Sequence, residues 1–109
     1  MLNITDKHRV FLAAGPIDFR TRLEGTLAVC RQQLQCDPLC GHVFVFRNRT
    51  MTTVRCIIYD KGGFWFMEKR LSKGRNHYWP QTPYDSCELT ATQLAQLLND
   101  QAPLLPGSA

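Results

Sequence analysis

Nine carboxylates, three histidines and five cysteines are the groups in this 109-residue chain that could do chemistry. Paired carboxylates are what a DNA-cutting enzyme needs to hold two Mg²⁺ ions over a phosphodiester. The carboxylates here are Asp6, Asp18, Glu24, Asp37, Asp60, Glu68, Asp85, Glu88 and Asp100. Several have simpler local uses. Glu24 completes a helix cap, Asp37 precedes a proline, Asp60 starts a glycine turn, and Glu68 sits beside Lys69 in a basic strand. No two stand at a spacing that commits them to one site. The sequence therefore predicts no metal and no other cofactor.

A Cys–His dyad needs only proximity in space. However, His8 stands near a terminus, and His42 and His77 border strands as ordinary polar residues. Cys30, Cys36, Cys40, Cys56 and Cys87 are odd in number and lack the spacing of a secreted disulfide framework. Cys36 and Cys40 flank Asp37-Pro38-Leu39, a gap that invites a zinc reading, yet no second CxxC or HxxxH pair follows. Reduced thiols, some of them small core residues, are the expectation. No G-x-S-x-G elbow, Walker loop or dinucleotide fingerprint is present. Lys73-Gly74-Arg75 is too short for a phosphate loop, although its N–H groups could touch a phosphate. No catalytic residue is predicted, and no enzyme.

The charge is more informative. Gly41 to Pro80 carries eight of the thirteen basic residues and two of the nine acidic ones, a net of +6 within a chain whose formal net charge is +4. Its pattern alternates apolar or aromatic residues with Arg and Lys, as a strand does with one face packed and the other in solvent. Arg47, Arg49, Lys69, Arg70, Lys73 and Arg75, with Arg55, are candidates to line one face and its loops. A polyanion, above all nucleic acid, is the partner such a face fits. Among the aromatics, Phe44, Phe46, Phe64, Phe66 and Trp65 read as core, and Trp79, beside Pro80, as the exposed ring that could stack on a base.

These residues must be held by local elements. Arg9 to Ala14 reads as a first strand, broken by Gly15-Pro16. Thr21 and Glu24 have capping-box spacing, and Leu23, Leu27, Cys30 and Leu34 form one stripe of a helix that Asp37-Pro38 ends. Gly25 weakens that helix by roughly 1 kcal/mol against Ala. Strands follow over His42–Arg47, Thr53–Tyr59 and Phe64–Leu71, with a glycine turn at Asp60-Lys61-Gly62-Gly63 and a short edge strand at His77-Tyr78-Trp79. A second capping box, Thr90 with Gln93, opens a helix carrying Leu94, Leu97 and Leu98. The fold class is α+β: a mostly antiparallel β-meander with one N-terminal-half helix and one C-terminal helix, both covering one face. One domain over residues 1–100 and a loose tail over 101–109 are expected. No apolar run is long enough to cross a bilayer and no secretion signal is evident, so a cytoplasmic protein without membrane contact is the expectation.

Three blocks in order carry a resemblance. Val10 to Arg20 reads VFLAAGPIDFR, and Gly41 to Arg49 reads GHVFVFRNR. Tyr59 to Trp65 reads YDKGGFW, followed by KRLSKGR at Lys69 to Arg75, Trp79-Pro80 and the late LTxxQLxxLL helix. Together they resemble the TnpB-type accessory protein, the second open reading frame of bacterial transposons in the insertion sequence 66 family. The resemblance implies a separate, larger transposase that does the cutting and joining, a small protein needed for efficient transposition, and no catalytic residues to carry over. Two departures stand out. Thr50-Met51-Thr52-Thr53 lacks the Arg and Asp common in that hairpin, and Leu39 and Cys40 replace the usual Phe and Ser.

The expectation is thus a non-catalytic accessory factor for DNA transposition, with transposon-end DNA and the element's own transposase as partners. Arg47, Arg49, Lys69, Arg70, Lys73 and Arg75 would contact phosphates and Trp79 would stack. The alternative is an adaptor that docks on the transposase, through the same face or the Leu94/Leu97/Leu98 helix with the proline-containing tail, and touches DNA only indirectly. A small magnesium nuclease, using a carboxylate such as Asp18 or Asp60, ranks last. The oligomeric state has no signature in the sequence.

Overall fold

Alternation of side chains decides the layers. A computed structural model describes residues 2–72 and 78–99. Its elements are β1 (Val10–Ala13), α1 (Leu23–Gln32), β2 (Val43–Arg47), β3 (Thr53–Asp60), β4 (Gly63–Arg70), β5 (Ser86–Leu89) and α2 (Ala91–Leu98). The strands form one sheet in the order β4-β3-β2-β1-β5. Neighbours run antiparallel except β1 and β2, which are parallel and joined through α1. A parallel pair needs such a crossover, because a tight turn cannot return the chain in the same direction. The fold is α+β, with a mostly antiparallel sheet.

The helices do not share a face, which corrects the expectation. Val43 and Val45 of β2 pack with Val10, Leu12, Val54, Cys56, Ile58, Leu94 and Leu97 on the side that α2 covers. Phe44 and Phe46 pack with Ala13, Ile57, Leu27 and Cys30 on the side that α1 covers. Adjacent residues of a strand point to opposite faces, and in β2 Val43 to Phe46 are all fully buried. A central strand apolar on both faces needs a layer on each, so the sheet is sandwiched. No helix among the described residues is long and apolar enough to cross a membrane.

Local signals fared unevenly. The Thr90 box forms as expected: Thr90 Oγ1 accepts from the Gln93 N–H at 3.1 Å, and Gln93 Oε1 accepts from the Thr90 N–H at 2.8 Å. The Thr21 box does not. Arg22 is the α1 N-cap, without a side-chain bond, and the Thr21 hydroxyl donates instead to the Asp18 carbonyl at 2.7 Å. Gly25 has a positive use here. A Cβ at that position would lie 2.4 Å from Thr21 Cβ, so only glycine lets the incoming loop lie so close to the helix. The β3–β4 turn takes positive φ at Lys61 (48°) and Gly62 (86°), the type I′ pattern, while Gly63 opens β4. The edge strand expected at His77-Tyr78-Trp79 does not form over Tyr78 and Trp79, and His77 lies outside the described residues. β5, pairing with β1 through Val10↔Leu89 and Phe11↔Glu88, takes the edge instead. The expected tail, residues 101–109, also lies outside them.

Candidate nucleic-acid interface

The basic meander is organised around one arginine that is not on the surface. Arg55 lies on the α1 side of β3 and is fully buried. Its Nε and Nη2 donate to Glu68 Oε2 at 3.1 and 3.0 Å. Its Nη1 donates to the Thr21 carbonyl and the Thr26 hydroxyl, both at 2.8 Å, and Nη2 also to the Phe19 carbonyl at 2.9 Å. The guanidinium carbon sits 4.1 Å from the Phe19 ring centroid and 4.7 Å from that of Phe66. The planar fork suits this many acceptors, and a lysine's single ammonium would not. Arg55 thereby ties the β1–α1 loop to the sheet.

That loop lies at a definite place. The Ile17 N–H donates to the Arg47 carbonyl at 3.0 Å, next to where β2 ends. The register runs Arg47↔Val54↔Lys69 and Thr53↔Arg70, so the end of β2, the start of β3 and the end of β4 coincide. Arg20, Arg22, Arg47, Arg49, Lys69 and Arg70 therefore gather at one end of the sheet, the end at which the parallel strands β1 and β2 finish. The carboxylates there include Asp18 and Glu68, each held by an arginine, and Asp85. The charges sort along the strand axis.

They do not sort by face, which corrects the single basic face. Arg47 and Lys69 flank Val54 on the α2 side, whereas Arg70, opposite Thr53, points to the α1 side. Arg47 is half-buried. It donates from Nη1 to the Asn48 carbonyl at 3.3 Å and lies 6.0 Å from the Trp79 ring, and burial lowers its pKa. Lys69 Nζ donates to the Leu98 carbonyl at 2.7 Å, a cation at the C-terminal end of α2 where the helix dipole favours one. Arg49 and Arg70 are exposed. Neither makes an ion pair or hydrogen bond with another described residue. Lys73 and Arg75 lie outside the described residues.

The tryptophans exchange the roles read from sequence. Trp79 is 7% exposed and its indole N–H donates to the Ala13 carbonyl at 2.9 Å, so its ring is core and has no free face for a base. Trp65 is 45% exposed on β4, with its N–H 3.3 Å from Asp60 Oδ2. Pro80 marks Trp79 in the sequence as a residue at the end of an edge strand. The burial of Trp79 comes from packing with Val10, Leu12 and the Ala13 carbonyl of β1, partners too distant in sequence for any local signal to record.

Sequence reasoning missed Arg20 and Arg22, which lie outside the basic segment. Asp18 holds Arg20 through contacts of 2.8 to 3.1 Å, and its carboxyl is held at about 2, chiefly by that hydrogen bond. Arg49 lies near enough to add to the effect. Asp18 and Arg20 line a cleft of about 420 Å³ between the β1–α1 loop and the β2–β3 hairpin, with Pro16, Phe19, Asn48 and Arg49. The GPIDFR and FRNR blocks, far apart in sequence, are its two walls. The hairpin wall is stiffened by Asn48, whose Oδ1 accepts the Thr52 and Thr53 N–H groups at 2.9 and 3.2 Å.

Glu68 and Asp18 are bonded to arginines, and Glu88 pairs with Arg9 at 2.8 Å. No cluster of three or more His, Cys, Asp or Glu among the described residues could hold a metal ion. The α2 leucines offered to the adaptor reading are also committed, since Leu94 and Leu97 are buried in the core and Leu98 packs against it.

Fold and site together define a small α+β protein with a sandwiched sheet, one end of which is cationic. The chain belongs to the IS66 Orf2-like family, whose model matches residues 8–102. It is similar to the uncharacterized protein y4jC of Sinorhizobium fredii, 37% identical over 67 residues, covering 62% of this chain and 57% of that one. It is also similar to the uncharacterized protein y4hO of the same organism, 32% identical over 91 residues, covering 84% and 78%. No solved structure matches. Membership of this family implies an accessory role in transposition of an insertion sequence.

Proposed function

We propose that this protein is a non-catalytic accessory factor that holds DNA, or a DNA–transposase complex, at the cationic end of its sheet. The observation that carries the reading is the gathering of Arg20, Arg22, Arg47, Arg49, Lys69 and Arg70 at that end by strand register. Arg49 and Arg70 are the principal phosphate contacts, since their charges are exposed and neither forms an ion pair with a described carboxylate. Arg47 and Lys69 contribute field, with part of their donor capacity already used. Lys73 and Arg75, which follow β4 in sequence, belong to the same proposal. Trp79 is withdrawn from it. Contacts of this kind position a duplex without reading its bases.

The test is binding of transposon-end duplex across a salt series. Each phosphate contact contributes about 0.9 to the slope of log K against log salt. Replacing Arg49 and Arg70 by Glu should flatten the slope by about 2 and weaken binding at low salt, while leaving the fold intact. Equal binding and equal slope for wild type and variant would remove the cationic end from the argument. The adaptor alternative predicts that same equality in DNA binding, together with direct capture of the transposase in the absence of DNA.

A further inference from the structure

β4 is an edge strand eight residues long, in register with β3 from Gly63 to Arg70 without a bulge and without proline. Its outer side is paired with no described residue. Counting from the two-residue turn, where Asp60 pairs with Gly63, the N–H and C=O groups of Phe64, Phe66, Glu68 and Arg70 point away from β3. Such an edge is a template for another strand, and proteins ordinarily guard it with charged side chains. Here two of the guards are tied down. Glu68 is turned inward onto Arg55, and Lys69 onto the Leu98 carbonyl of α2. Between them and the turn lie Phe64, Trp65, Phe66 and Met67, with Trp65 45% exposed.

We infer that β4 pairs with β4 of a second copy, antiparallel about a two-fold axis through Met67, making one ten-stranded sheet. The occupant is argued from complementarity. Such an axis keeps each face continuous, so residues equidistant from the centre meet on one side. Centred on Met67, the pairing sets Trp65 opposite Lys69 of the second copy, Phe64 opposite its Arg70, and Phe66 opposite its Glu68. Rings face cations twice over, and no like charges stand directly opposite; the two Glu68 carboxylates are diagonal neighbours, each held by its own Arg55. Moving the axis to Glu68 or Lys69 would set that charge against itself. The inference does not rest on DNA binding, although Lys69 and Arg70 stand in both. In the paired sheet the two cationic ends face opposite ways, so a dimer that bound DNA would hold two segments apart.

The experiment exploits the residue that meets its own copy. Wild type, Met67→Lys and Met67→Glu are compared by sedimentation equilibrium, with circular dichroism to confirm folding and Lys61→Glu as a control. Wild type and control should dimerise alike. Each Met67 variant should dimerise about tenfold or more weakly, because like charges face each other. An equal mixture of the two should recover a dimer, as Lys then meets Glu. Should either variant fail to fold, hydrogen exchange of wild type decides: the amides of Phe64, Phe66, Glu68 and Arg70 gain protection as concentration rises. A wild type that stays monomeric at high micromolar concentration overturns the inference. So does a dimer indifferent to charge at Met67, or one whose four outer amides exchange freely.

Discussion

Arg55 and Glu68 face each other across β3 and β4, and the guanidinium gives two of its N–H groups to a single carboxylate oxygen. The pair is asymmetric. Arg55 has no exposed surface, whereas the Glu68 side chain retains 29% and has Arg22 at 3.9 Å as a second, looser partner. Arg55 also has three further acceptors, and Glu68 has no comparable set.

The consequence is an order of costs. Arg55→Ala strips four acceptors of their donor and empties the space between two rings, and should cost about 4 kcal/mol. Glu68→Gln leaves Arg55 its two carbonyls and the Thr26 hydroxyl, and should cost about 1 to 2 kcal/mol. Arg55→Lys should fall nearer the alanine variant, since an ammonium cannot span the fork. Urea midpoints at constant m-value measure the order, and a costlier Glu68→Gln would reverse the reading of this site.

Gly25→Ala should destabilise although alanine is the better helix former by about 1 kcal/mol. The added Cβ meets Thr21 Cβ at 2.4 Å, and Thr21 is fixed by its hydroxyl bond to Asp18. The double variant Thr21→Gly with Gly25→Ala should recover stability relative to Gly25→Ala alone. Thermal unfolding of the single and double variants checks both statements.

The two tryptophans should separate in fluorescence. Acrylamide should quench the signal that Trp65→Phe removes and spare the one that Trp79→Phe removes. Trp79→Ala should cost about 3 to 5 kcal/mol as a core truncation. Trp65→Ala should cost much less.

Thiol chemistry should rank by burial. Cys40 is exposed and should react first with a disulfide reagent at pH 8. Burial raises the Cys36 and Cys87 thiols, and lifts Cys30 and Cys56 to about 12. Cys30 and Cys56 should therefore react only on unfolding. The sign of the pH effect follows. The unfolded thiol ionises near pH 8.5, while the folded Cys56 keeps its proton to about 12. Stability from this source is complete below the unfolded value and declines as pH rises between the two. Asp18 acts in the opposite direction. Its folded carboxyl, at about 2, lies below the unfolded one, so its contribution is lost as pH falls toward 2.

The strands of the meander, the glycine turn, the Thr90 cap and the crowding of cations into one segment are legible in the residues alone, because alternation, positive φ and capping act over a few residues. So is the opposition of Val43 and Val45 to Phe44 and Phe46. Only the tertiary structure decided that both sets are buried, since that requires a helix on each side. It alone decided that Arg55 lies inside and Arg49 outside, that Trp79 is core and Trp65 is not, and that Arg20 joins Arg49. The physical reason is the same in each case. Burial belongs to whatever packs against a position, and the partners, α1 against Arg55 and the β1 strand against Trp79, are distant in sequence from the residues they bury.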